Sequence, residues 1–300
     1  MKLNTRFARL ALATAALMAT VPTALAAQLL HHVHGLAFSS DGSSLYIPSH
    51  FGLAIWRDGR WSKGPGPAHD YMGFSATRTH LYSSGHPAHG TGLVNPFGLM
   101  QSADGGATWR KLGLEGEADF HVMAAGYDNS AVYVYNSEPN SRMRRAGIHF
   151  TLDEGMRWSF AAAQALQGKV VALGVHPTDP KRLAAATERG LFVSDDSGAR
   201  FRQLSAGQAL GVAFDLDGRH VWWSSHTDRA RLTRAELGTD KPQDVPLPPL
   251  KDDAVAYIAQ NPSQPSMLAV ATFKRSVYLS ANGGRTWRQL ADQGSAREGS

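Results

Sequence analysis

Histidine is where this sequence can do chemistry. Nine of its thirteen histidines lie between His31 and His121, and the chain has no cysteine. Imidazole without thiolate suits zinc, copper, iron or nickel, and a methionine thioether beside it leans towards copper(I). The residues that carry this reading are His34, His50, His86 and His121, with His32 and His69 beside them and Met72 and Met123 as soft contributors. Asp70 and Asp119 are placed to act as ligands or as acceptors that orient an imidazole. The catalytic version is a zinc-dependent hydrolase, in which His34, His86 and His121 hold the ion and Asp70 or Asp119 is the base. A glycoside hydrolase is the rival. It needs two carboxylates flanking a sugar, and Asp70, Asp119 and Glu188 are the candidates. The sequence has neither a compact H-E-x-x-H signature nor a G-x-S-x-G elbow.

Residues so far apart can share a site only if a repeating frame gathers them, and the sequence contains one. SADGGATWRKL (102–112), TLDEGMRWSF (151–160), SDDSGARFRQL (194–204) and SANGGRTWRQL (280–290) share a skeleton. It runs Ser or Thr, any residue, Asp or Asn, any residue, Gly, two residues, then Trp or Phe. In a β-hairpin the Asp caps turn amides, the Gly supplies positive φ, and the aromatic packs between sheets. Asp104, Asp153 and Asp196 are thus read as turn caps rather than catalytic carboxylates. Two further strand-like stretches precede each phrase and complete a four-strand unit. Six units begin near Leu30, Pro67, Glu117, Gly168, Gly207 and Lys251, a spacing of roughly 35–50 residues that matches a propeller blade. The expected architecture is all-β: a six-bladed β-propeller of four-stranded antiparallel blades over residues 28–291. A seventh, degenerate blade is the variant of this reading, and two stacked sandwiches are the alternative.

In that frame the innermost strand lines the channel and its neighbour runs back, so the start of one and the end of the other share a rim. Aligned by unit, the start of strand one reads His34, Met72, His121, Val171, Leu210 and Val255. Two residues earlier it reads His32, Asp70, Asp119, Lys169, Gln208 and Asp253, and strand two ends at His50, His86, Ser137, Glu188, His226 and Thr272. The metal-competent residues therefore gather over the first three blades.

The recurring phrase resembles the Asp-box, or BNR, repeat, and the chain is similar to the sialidase-like and sortilin-like propellers and to photosystem II assembly factor propellers. That resemblance implies the fold over nearly the whole mature chain and places binding sites at the axis, away from the boxes. A sialidase also needs an arginine triad with a Phe/Tyr-Arg-Ile-Pro motif and a Tyr–Glu nucleophile pair. No Arg-Ile-Pro occurs, and the nearest arginine cluster, Arg142, Arg144 and Arg145, falls in a loop.

Residues 1–27 carry Lys2, Arg6 and Arg9, then LALATAALMA, then Ala24-Leu25-Ala26. This is the pattern of a signal peptide, with cleavage expected near Ala26 or Ala27 and a periplasmic or extracellular destination. Losing those three basic residues lowers the net charge from +5 to +2. No basic run suggests nucleic acid, and no other apolar segment is long enough to cross a membrane. Residues 292–300 read as a disordered tail. The leading functional expectation is an exported propeller with a His/Met site for copper, zinc or another transition metal, in a binding or assembly role with an exported protein partner. A glycan would be the partner in the hydrolase reading. A protein-binding platform without a small ligand is the third reading.

Overall fold

Short apolar strands punctuated by Gly, Asp and Ser fold into six antiparallel sheets, each made from strands consecutive in sequence. The computed structural model describes residues 30–239 and 241–297; the segment read as a signal peptide, 1–27, lies outside them. The blades span 37–63, 70–113, 123–160, 170–206, 212–245 and 255–296. Each expected unit start precedes the first strand of one blade, so number and order agree. Among the described residues there is no seventh sheet and no helix long and apolar enough to cross a membrane.

The innermost strands, beginning at Ala37, Asp70, Met123, Val170, Val212 and Val255, each touch the next, and the last touches the first. They wall a central channel lined by Phe38, Phe74, Leu173, Phe214 and Ile258, with His34, His121 and Met123 among its lining residues. Six apolar clusters fill the six junctions between blades. This is how sheets too small to bury both faces alone become stable.

The recurring phrase builds one turn four times. In blade 2, Ser102 Oγ donates to Asp104 Oδ1 at 2.8 Å and accepts from the Gly106 amide at 2.8 Å, while Thr108 N donates to Asp104 Oδ1 at 2.9 Å. Thr151/Asp153/Gly155/Arg157 and Ser194/Asp196/Gly198/Arg200 repeat it. Ser280/Asn282/Gly284/Thr286 does so with an amide oxygen in place of the carboxylate. The aromatics then wedge into the junction with the preceding blade: Trp109, Trp158, Phe201 and Trp287 each pack on a different cluster. Blade 1 uses a two-residue turn, Asp58-Gly59, with φ of 50° and 77°, the combination a type I′ hairpin requires.

The seam between blades 6 and 1 closes without strand exchange. Leu30, fully buried, enters the cluster formed with Leu279, Leu290 and Ala291, a burial that contributes about 1.5–3 kcal/mol. Its amide donates to Gly294 O at 3.0 Å, Trp61 Nε1 donates to Leu290 O at 2.9 Å, and Asn261 Nδ2 donates to Gly42 O at 2.8 Å. The expected disordered tail is corrected here through residue 297. Arg288–Asp292 pairs with Ser295–Ala296, and Arg297 Nη2 donates to Asp292 Oδ2 at 2.8 Å. A polar composition hid these residues because hydrogen bonds to blade 6, with one from Leu30 across the seam, order them rather than a hydrophobic face of their own.

Candidate metal centre

The rim residues stand where the innermost strands begin, and the backbone there is irregular. Register shifts fall between Met72 and Phe74, Val170 and Ala172, and Val255 and Tyr257, bulges that re-aim side chains at strand ends. Gly73 has φ of 36°, and a Cβ there would lie 1.9 Å from Phe120 O and 2.9 Å from Met123 Cγ. Its absence lets the entry to blade 3 lie against blade 2. The Phe120 amide donates to buried Ser84 Oγ at 3.0 Å, which fixes Asp119 and His121 on either side of it above blade 2. In blade 2 itself, Asp70 and His86 are direct cross-strand partners and so share one face.

The imidazoles fall into two groups. In the first, donor atoms of His32, His34 and His50 lie within 4.8 Å of one another. The rings stack, His32 on His50 at 4.1 Å and His34 on His50 at 5.0 Å between centroids. Asp70 faces them, with Oδ1 3.8 Å from His34 Nε2 and Oδ2 3.8 Å from His50 Nε2. Neither His34 Nε2 nor Asp70 Oδ1 has a hydrogen-bond partner, and both are buried. Burial, then the neighbouring His50 and His32, push His34 down to about 4, so at pH 7 its ring is neutral and one nitrogen offers a lone pair. His32 is lowered by burial and by His50 in the same way. Gaps of 3.8 Å are too long for hydrogen bonds. They are close to the ~3.4 Å that separates two ligands of a tetrahedral ion with ~2.1 Å bonds.

The second group joins blades 2 and 3: His86, Asp119 and His121. His121 Nε2 donates to Asp119 Oδ2 at 2.6 Å, and that hydrogen bond raises the His121 pKa. His86 Nε2 lies 3.0 Å from the same oxygen, while its Nδ1 donates to Asn95 Oδ1 at 2.7 Å. With Nδ1 carrying the proton, a neutral His86 turns its Nε2 lone pair on a carboxylate oxygen, so the contact needs a cation between them, either a proton or a metal. Asp119 Oδ1 is buried without a partner. The groups feel each other's charge: His121 and Asp119 act on His34, and Asp70 acts on His121.

Three further expected contributors are His69, Met123 and Met72. His69 is buried, with Nδ1 accepting from the Ala88 amide at 3.0 Å and its ring edge-on to Phe97; it holds the loop after His86. Met123 is buried against Gly73 in the channel wall, and Met72 is half-buried on the bulged strand. The donors gathered in the two groups are imidazoles with a carboxylate beside them. The hydrolase ligand set is also divided, because His34 belongs to one group and His86 and His121 to the other. Of the rim carboxylates, Glu188 is exposed in blade 4 and belongs to neither group.

The structure adds what the alignment lacked. Asn95, in the 87–98 loop, fixes the His86 tautomer, and no periodic signal marks it. A third group, Asp215, Asp217 and His220, lies in blade 5. There Asp215 already holds Arg234 and Trp222 Nε1, a closed structural network.

No family model matches the chain, and no curated protein matches it. Among solved structures it is similar to the GH74 enzyme of Niastella koreensis, at 14% identity and TM-score 0.59, covering 86% of this chain and 45% of that one. It is similar to Kuenenia stuttgartiensis hydrazine synthase at 16% identity and TM-score 0.55, covering 83% and 76%. YCF48 bound to a D1 peptide matches at 17% identity and TM-score 0.49, covering 89% and 84%. The chain spans less than half the length of the first of these, and at such identities the likeness is one of fold alone.

Proposed function

We propose that this chain is an exported Asp-box propeller that binds a divalent transition metal on one axial rim, in a binding or assembly role. The observation that carries the reading is the pair of buried, unpartnered atoms His34 Nε2 and Asp70 Oδ1, 3.8 Å apart beside His50 and His32. Leaving such atoms unsatisfied costs about 1–3 kcal/mol each, and an ion between them removes that cost. Imidazole with carboxylate favours zinc or copper(II) over copper(I), with His34, His50, Asp70 and His32 as ligands. Export follows from residues 1–27 and fits a donor set without cysteine. A carbohydrate hydrolase draws less support, because Asp119 is engaged by two imidazoles and Glu188 lies outside both groups.

The test is elemental analysis of chelator-free protein, followed by titration of stripped protein with Zn²⁺ and Cu²⁺. The native chain should retain and rebind metal, and His34→Ala/His50→Ala should lose the ion held by this group, lowering the metal-to-protein ratio with unchanged circular dichroism. Near-zero metal and no binding in the native chain would sink the proposal.

A further inference from the structure

We infer that this rim takes two ions rather than one, the second held by His86, Asp119 and His121 across blades 2 and 3. The inference deepens the proposed function and rests on it.

Three observations carry it. First, the donor atoms of His86, Asp119 and His121 lie within 4.8 Å of one another and form a group that excludes His34, His32 and His50. The five imidazoles of the two groups do not all lie within the mutual reach that metal–nitrogen bonds of ~2.1 Å allow, so two groups mean two centres. Second, the second group is oriented from outside. Asn95 Oδ1 accepts a hydrogen bond from His86 Nδ1–H, which leaves Nε2 to face the group, as outer partners of metal-bound histidines do. Third, Asp119 keeps a buried oxygen, Oδ1, without a partner, although its other oxygen is shared by two imidazoles.

The centres adjoin because Asp70 of the first and His86 of the second are opposite residues of one strand pair. Each centre brings one carboxylate and neutral imidazoles, so a divalent ion leaves it with a charge of about +1. Two such centres side by side repel. The ions therefore bind in sequence, and the second binds more weakly than the first. The proton that His121 shares with Asp119 leaves when the second ion enters.

The experiment is a Zn²⁺ titration of stripped full-length protein by calorimetry, with metal-to-protein ratios measured after gel filtration and copper(II) spectra of the loaded protein. His34→Val and His121→Val are the variants, since Val171 and Val255 fill the same rim position in blades 4 and 6. Asp119→Asn serves as an isosteric check if His121→Val unfolds. A ratio of two in the native chain, falling to one in each variant, with magnetic coupling between paired copper ions, supports the inference. A native ratio of one overturns it and leaves the proposed function standing. A ratio of zero overturns both, and two ions persisting in both His121→Val and Asp119→Asn overturns the assignment to this group.

Discussion

Blades 1–3 and blades 4–6 are built alike and finished differently. Both halves have the same strand order, the same inner ring and the same apolar junctions. Yet at one rim position the first half reads His34, Met72 and His121, and the second reads Val171, Leu210 and Val255. The second half is thus an internal control. It shows that the frame closes with aliphatic residues at this position, so the imidazoles are not there to hold the propeller. The described buried polar atoms without partners are His34 Nε2, Asp70 Oδ1 and Asp119 Oδ1 at the rim and Trp109 Nε1, Tyr127 OH and Trp158 Nε1 elsewhere in blades 1–3, with none in blades 4–6. The rim of the first half thus carries a stability cost that the rim of the other half avoids, which supports the proposed function.

The sharpest way to break this contrast is to change an acid near the start of the innermost strand in each half. Asp70→Asn should weaken Zn²⁺ binding by more than the ~10–100-fold that outer-shell changes cost. Asp253→Asn, just before the innermost strand of blade 6, should leave it unaltered, because Asp253 Oδ1 accepts from the Ala254 and Lys274 amides. Equal affinities in calorimetry would erase the distinction.

Next come two glycines. A Cβ at Gly73 would lie 1.9 Å from Phe120 O, and one at Gly211 would lie 2.5 Å from Ala256 O. Each Ala variant should lose about 2–4 kcal/mol in denaturant unfolding, but only Gly73→Ala should also impair metal binding, since it displaces Asp119 and His121. A Gly211→Ala protein with equally impaired binding would show that the halves are coupled through the ring.

A smaller effect is the pH response of metal-free protein. Burial depresses His34 to about 4, so the folded state takes up fewer protons there than the unfolded chain. That contribution to stability is present above pH ~6.5, the ordinary histidine value, and fades as pH falls towards 4. His121 is raised and acts oppositely, stabilising below pH ~6.5 and losing its contribution as pH climbs through its folded value. His34→Val should flatten the fall in melting temperature between pH 6.5 and 4. An unchanged slope would remove His34 as its cause.

The smallest expected difference is none. Asp104→Ala in blade 2 and Asp196→Ala in blade 4 break the same turn, and each should lower Tm by about 2–4 °C. Unequal shifts in calorimetric scans would mean the two halves are not equivalent frames.

Much of this was legible in the sequence for a physical reason: a blade is a local unit, so its turn chemistry recurs and its period counts blades. The same alignment put His34, His50, His86 and His121 on one rim because strand one and strand two are neighbours within a blade. What it could not show depends on how blades meet. The bulge at Gly73, the Ser84 bond to Phe120 and the cross-strand pairing of Asp70 with His86 decide that there are two groups instead of one. Asn95 lies in an irregular loop, where no period exists to read, and residues 292–297 form an extra strand at the edge of blade 6 that the four-strand period does not include.

The junction between blades 6 and 1 has a consequence for how the chain is written. Five of the six interfaces are spanned by covalent backbone; the sixth, where Leu30 meets Gly294 and Trp61 meets Leu290, is spanned by side chains and hydrogen bonds alone. A ring closed this way has no privileged beginning. The imidazole-bearing blades come first because the linear order is cut just before them, so a permuted gene opening at another junction encodes the same circle of blades with its rim intact.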